Sequence, residues 1–340
     1  MKIAFPAWVQ IGRKNGGAEA PSTEATGAIS TSKNLFTTKK LFAQKEMPNL
    51  QSVPKAVPQV EECWAAIDGV RVRYQRAGSG PPLVLVHGLL GYCFSWRFNI
   101  PVLAQHATVY ALDMPGAGFS DRCPGMDSRF GGSATRLLRF VEHMGICSFD
   151  LLGTSHGGAV AMMAASMANQ SQPTVRRLIL VGPVNPFSAH GRFLAPFLGG
   201  RIVSALFRSL FPRVTFTHSY LLRRLYGDPG RIAPGTLEGY SKPIAIPGSL
   251  EYGLDIVRTW LDSLHDLESA LSQIADIPTL LIWGSKDVAV DPRSAHLLQP
   301  YFHNARLVML DGAGHLPYEE APVDFNRAVI DFLTTTHTPR

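Results

Sequence analysis

Charge is scarce in this sequence. Asp, Glu, Lys and Arg make up only 17% of its 340 residues, against 46% hydrophobic residues. Disordered chains combine low hydrophobicity with high charge, so a mostly disordered protein is excluded. Long hydrophobic runs are missing too. No uninterrupted stretch approaches the about 18 apolar residues that would span a bilayer. Cysteine is rare: Cys63, Cys93, Cys123 and Cys147 form no CxxC pair and show no metal-ligand spacing. A chain of this length buries about three quarters of its unfolded surface and needs no disulfide or metal staple. Unpaired thiols fit a reducing, cytosolic-type compartment. A basic stripe with interleaved aromatics is also absent. The net charge of +6 arises equally from residues 1–62, with eight Lys/Arg and five Asp/Glu, and from residues 63–340, with 24 and 21. The body is therefore nearly balanced, and no nucleic-acid partner is expected.

Length alone allows two domains, or one large α/β domain with an insertion. Residues 1–60 differ from the rest. Ser, Thr, Ala, Gly, Gln and Lys dominate, and Val53-Pro-Lys-Ala-Val-Pro58 reads as an extended linker. This segment is expected to be a disordered tail. Lys2 followed by the apolar Ile3–Val9 superficially resembles a signal peptide. The run is short, contains Pro6 and lacks a small-residue cleavage site, so a floppy tail with an apolar tip is the preferred reading.

From residue 64 the pattern changes. Trp64–Ile67, Asp68-Gly69 and Val70–Tyr74 predict a β-hairpin, with Asp-Gly as its turn. Short apolar runs of buried-strand type follow at Leu83–Val86, Val109–Leu112, Phe149–Leu152, Leu178–Val181, Leu280–Trp283 and Leu307–Leu310. Helix-length segments lie between most of them, among them Ser128–Met144, His156–Asn169 and Pro322–Leu333. Strands alternating with helices predict a mostly parallel sheet covered on both faces. Residues 183–275 break the alternation. They read as a helical insertion above one edge of the sheet, so the body divides into 61–182 with 276–340, and 183–275.

The strongest chemical signal is Gly153-Thr-Ser155-His156-Gly157, between the strand Phe149–Leu152 and the small-residue helix Ala159–Ala168. Gly-x-Ser-x-Gly between strand and helix is a nucleophile elbow. The sharp turn presents Ser155, and it closes only if Gly153 and Gly157 stay small. A serine hydroxyl needs a base to take its proton. His315 follows the last strand-like run through Asp-Gly-Ala-Gly314 and is the candidate. The imidazole needs an acid to fix its tautomer. Asp287 ends Gly284-Ser-Lys-Asp287 at the carboxyl end of a strand, where such sheets bind ligands. Its nearest rival, Asp291, is read as a cap of the helix beginning at Pro292. Two backbone N–H groups must hold an oxyanion. They are expected from His156 and from Leu89, in the loop His87-Gly88-Leu89-Leu90-Gly91. The His87 side chain is expected to be structural.

With these residues in order, the chain resembles the α/β-hydrolase superfamily from about residue 64 to 335. The marks are His87-Gly88, Asp113-Met-Pro-Gly116-Ala-Gly118-Phe-Ser120, Gly153-Thr-Ser155-His-Gly157, Gly284-Ser-Lys-Asp287 and Gly314-His315. The resemblance implies an eight-stranded, mostly parallel sheet with a helical cap at 183–275. The segment His87–Pro101, with Trp96-Arg97, is similar to epoxide hydrolases and haloalkane dehalogenases. Those enzymes carry aspartate where this chain has Ser155, which argues against both activities. The resemblance thus implies a serine hydrolase of a carboxylic ester with a Ser155, His315 and Asp287 triad. The alternative is a carbon–carbon bond hydrolase of aromatic breakdown products, and more remotely a ligand-binding member that has lost catalysis. No metal or organic cofactor is implied. In the cap, Phe187–Tyr226 contains six arginines, eight aromatics and no acid. The plain reading is an amphipathic helical pair with its arginines in water. The sharper one is a greasy lid over an apolar acyl or aromatic substrate, touching a membrane surface.

Overall fold

The computed structural model describes residues 58–168, 173–188 and 215–335. The expected tail and linker up to residue 57, and most of the aromatic and arginine-rich stretch Phe187–Tyr226, lie outside the described residues. Eight strands form one sheet: β1 (Glu61–Ile67), β2 (Val70–Ala77), β3 (Pro82–Val86), β4 (Thr108–Leu112), β5 (Ser148–Thr154), β6 (Thr174–Val181), β7 (Thr279–Gly284) and β8 (Ala305–Leu310). Their order is β1-β2-β4-β3-β5-β6-β7-β8. β2 runs antiparallel to both β1 and β4, and every other pairing is parallel. This is the eight-stranded, mostly parallel sheet the sequence predicts.

Local chemistry explains the joints. Ile67 pairs with Val70, and Asp68 and Gly69 between them have φ of 49° and 80°. Both central residues are left-handed, as a two-residue hairpin of matching twist requires. Helix α1 spans Ile100–Leu103 and α2 spans Phe130–His143. α2 ends in a Schellman motif: Gly145, at φ 67°, donates to Glu142 O, and Ile146 donates to Val141 O. Ile146 is thereby buried against the same core as α2, and the chain is aimed into β5.

Side chains of the central strands alternate between two cores, as strand geometry dictates. Val84, Val86, Phe149, Leu151, Leu178, Leu180, Leu281 and Trp283 point to one face. Leu83, Leu85, Leu152, Ile179, Val181, Leu280 and Ile282 point to the other. The first face is covered by α2 and by α3 (His156–Ala168), the second by α1 and by a closing helix, Pro322–Thr334. Between β6 and β7 the described chain is helical: α4 (Thr215–Leu225), α5 (Thr236–Ile244), α6 (Ser249–Arg258) and α7 (Trp260–Ala270). Helices α8 (Arg293–Leu298), α9 (Pro317–Glu320) and α10 (Pro322–Thr334) complete the order. No helix among the described residues is long and apolar enough to cross a membrane. Strands β3, β5, β6, β7 and β8 are parallel, so the loops leaving their carboxyl ends gather at one edge of the sheet.

Candidate active site

The elbow lies at that edge, between β5 and α3. Ser155 has a φ of 52°, one of three non-glycine residues among those described with a positive φ. Its backbone is tied down on both sides: its N–H donates to Val181 O at 3.0 Å, and its carbonyl accepts from Gly158 and Val184 at 2.9 Å. The flanking glycines are sterically required. A Cβ on Gly153 would lie 2.3 Å from Gly157 O, and one on Gly157 would lie 2.3 Å from His87 O. Such contacts with backbone cannot be relieved by a rotamer change.

Asp287 and His315 arrive on the loops after β7 and β8 and meet there. His315 Nδ1 lies 2.8 Å from Asp287 Oδ2, and both side chains are almost fully buried. The other carboxylate oxygen accepts the N–H groups of Ala289 and Val290 at 2.8 and 2.9 Å. With its oxygens so engaged, the carboxylate favours a proton on Nδ1 of the ring and leaves Nε2 as the acceptor. Asp291 lies apart from this pair. It accepts the Arg293 N–H at 2.9 Å at the start of α8, near the capping place expected of it.

The loop after β3 runs past the elbow. A Cβ on Gly88 would sit 3.2 Å from Ser155 Cβ. His87 holds this loop: its Nε2 accepts the Met114 N–H at 3.0 Å, and its Nδ1 lies 2.8 Å from Gly88 O. Burial pushes its pKa below the ordinary histidine value. A neutral ring with Nδ1 protonated satisfies both contacts, which fits the structural role expected of His87. Gly91 N–H donates back to Gly88 O at 3.0 Å and closes the turn that carries Leu89. Leu89, Ser155 and His315 line one cavity of about 320 Å³. Its remaining walls are largely apolar and include Leu222, Leu225, Leu237 and Ile244 from α4 and α5. The His156 side chain points elsewhere. It is buried between Phe130 and Trp260, at ring distances of 5.4 and 6.2 Å. Burial, with help from His87 and Arg136, pushes its pKa down to about 3, so its ring is neutral.

Two residues the sequence reading did not single out stand close to the site. The Glu319 carboxylate is fully buried and accepts from Arg97 at 2.7 Å, from the Tyr226 hydroxyl at 2.6 Å and from the Tyr240 hydroxyl. Glu320 accepts the backbone N–H groups of Gly314, Gly227 and Asp228. Burial raises its pKa, against the pull of those three donors. The available signal was two adjacent carboxylates, four and five residues after His315.

Residues 81–322 match the family model described as alpha/beta hydrolase fold. The chain is 30% identical over 274 residues to the dihydrolipoyllysine-residue acetyltransferase component of the acetoin cleaving system of Pseudomonas putida, covering 79% of this chain and 68% of that protein. It is 26% identical over 296 residues to monoacylglycerol lipase ABHD6 of Homo sapiens, covering 81% and 85%. Among solved structures, the epoxide hydrolase CorEH superposes with a TM-score of 0.69 at 26% identity, covering 81% of this chain and 98% of that one. The family and the hydrolases among these relatives support a hydrolase activity. By its sequence match and its sheet, the chain belongs to the α/β-hydrolase family.

Proposed function

We propose that the protein is a serine hydrolase of apolar carboxylic esters that works through an acyl-enzyme. Ser155 attacks the carbonyl carbon while His315 takes its proton at Nε2. The same proton goes to the leaving alcohol as the tetrahedral intermediate collapses. His315 then activates a water, which releases the acid and restores Ser155. Asp287 orients the ring and stabilises the imidazolium. The backbone N–H groups of His156 and Leu89 hold the oxyanion, and His87, Gly88, Gly153 and Gly157 keep those groups in place. The observation that carries the reading is the buried 2.8 Å contact between His315 and Asp287, at a cavity that also includes Ser155.

The substrate class rests on the cavity walls. Seven leucines, an isoleucine and an alanine line it, with Ser95, His218, Ser241 and the tyrosines Tyr240 and Tyr318 as polar points beside Ser155 and His315. An acyl chain or an apolar alcohol suits such walls better than a charged group does. A lipid-like ester is also the substrate class named for the human relative.

The test is hydrolysis of a chain-length series of chromogenic esters by wild type and Ser155→Ala. Turnover in the wild type alone supports the reading, and the length profile sizes the cavity. Labelling by a serine-directed phosphonate without any ester turnover would point to carbon–carbon hydrolysis instead. Absence of labelling in folded protein would overturn the assignment of Ser155.

A further inference from the structure

The loop that carries His315 is not seated by the sheet alone. Gly314 donates its N–H to Glu320 Oε1 at 2.7 Å. The other oxygen of that carboxylate accepts from Gly227 at 2.9 Å and Asp228 at 3.2 Å. The N–H of His315 itself donates to Leu225 O at 2.7 Å. Leu225 ends α4, and Gly227 and Asp228 follow it directly. The backbone leading into the His315 Cα is therefore held by the helical segment between β6 and β7, and one carboxylate bridges that segment to the loop.

The two strips of backbone also touch. A Cβ on Gly314 would lie 2.4 Å from both Gly227 N and Leu225 O. A Cβ on Gly227 would lie 2.4 Å from Gly312 O and 2.7 Å from Gly314 N. Glu319 reinforces the seam by gathering Tyr226 and Tyr240 from the helical segment and Arg97 from the core. Charge-assisted bonds from a carboxylate to three N–H donors are short and directional, so they fix position and not merely proximity.

We propose that Glu320 is a positioning residue for His315, and that Leu225–Asp228 forms the other half of the seat. The Asp287 contact fixes the ring about its Nδ1 side. The seat fixes where the ring starts from. The inference rests on His315 being the general base. A misplacement of about 1 Å costs on the order of a hundredfold in rate when reacting groups must be aligned. Neither Glu320 nor Gly227 lines the 320 Å³ cavity. Loosening the seam should therefore lower kcat and leave substrate binding largely alone.

The experiment measures kcat and KM separately on the full chain with a chromogenic ester. The variants are Glu320→Ala, Glu320→Gln and Gly227→Ala, with the cavity-lining Leu237→Ala as contrast. Melting curves and the rate of phosphonate labelling of Ser155 are recorded for each. Glu320→Ala and Gly227→Ala should lose about tenfold or more in kcat, with KM within about threefold of wild type and labelling slowed in parallel. Glu320→Gln keeps one acceptor and should fall between them and wild type. Leu237→Ala should act chiefly on KM. Should Glu320→Ala not fold, Gly227→Ala carries the test, because it changes no charge. Folded seam variants with wild-type kcat, or with a change in melting temperature or KM alone, overturn the proposal. A His315→Ala variant that retains activity would overturn the general-base reading instead, whatever the seam variants do.

Discussion

Ser155 holds a left-handed backbone that a non-glycine residue occupies only at a cost of about 1–2 kcal/mol. Ser155→Gly should thus be inactive yet about 1 kcal/mol more stable than wild type, as read from urea midpoints. An unchanged or lowered midpoint would mean that the turn is not strained at this residue. His156 gives a second prediction. Its folded pKa is about 3, well below the ordinary 6.5, chiefly because the ring is buried. Between those values the unfolded chain binds a proton that the folded chain refuses. Stability must therefore rise with pH through that window and be lost as pH falls below about 6.5. His87 is shifted in the same direction and adds to the trend. Urea midpoints taken between about pH 4 and pH 7 should slope upward in wild type, and His156→Met should flatten the slope. Equal slopes in both proteins would show that another group dominates.

The elements are locked by close approach as much as by apolar burial. Gly157 brings the start of α3 against the β3–α1 loop, where a Cβ would lie 2.3 Å from one backbone oxygen and 2.5 Å from another. Gly157→Ala should cost about 1–3 kcal/mol and widen the gap to the loop that carries Leu89, seen as a lower melting temperature together with lower kcat. Six strands were legible from short apolar runs, because strands of a covered parallel sheet leave that pattern in the sequence, and the antiparallel β1 and β2 were legible from their Asp-Gly turn. Ser155, Asp287 and His315 could be picked out as candidates because each sits in a short loop with its own glycine chemistry. Glu319 and Glu320 were not legible as partners of anything. Apart from the Gly314 N–H, six positions from Glu320, their hydrogen-bond partners lie 79 to 222 positions away in sequence, and a carboxylate on a short helix looks solvated until the fold covers it. The Schellman end of α2 shows the opposite case. Its bonds span only three and five residues, so a Gly-Ile pair after an apolar helix already encodes it.

At the scale of the molecule, the sheet separates two cores that share no side chain. Leu137 on α2 and Phe325 on α10 are both fully buried, on opposite faces. Leu137→Ala should cost about 2–5 kcal/mol and Phe325→Ala about 3–5 kcal/mol. Being separated by a layer of backbone, the two losses should add to within about 0.5 kcal/mol in the double variant. A larger discrepancy in denaturant titrations would show that the sheet transmits strain from one face to the other. The strand order also has a temporal consequence. β5, which delivers Ser155, pairs with β3 and β6 near the middle of the sheet. Asp287 and His315 follow β7 and β8, which leave a ribosome only after the six other strands of the sheet. A nascent chain can dock Ser155 early, but the two residues proposed to activate it follow only after the helical segment and the strands β7 and β8. On the proposed roles, chemical competence waits for the loop after β8, long after the strand that carries Ser155 has been made.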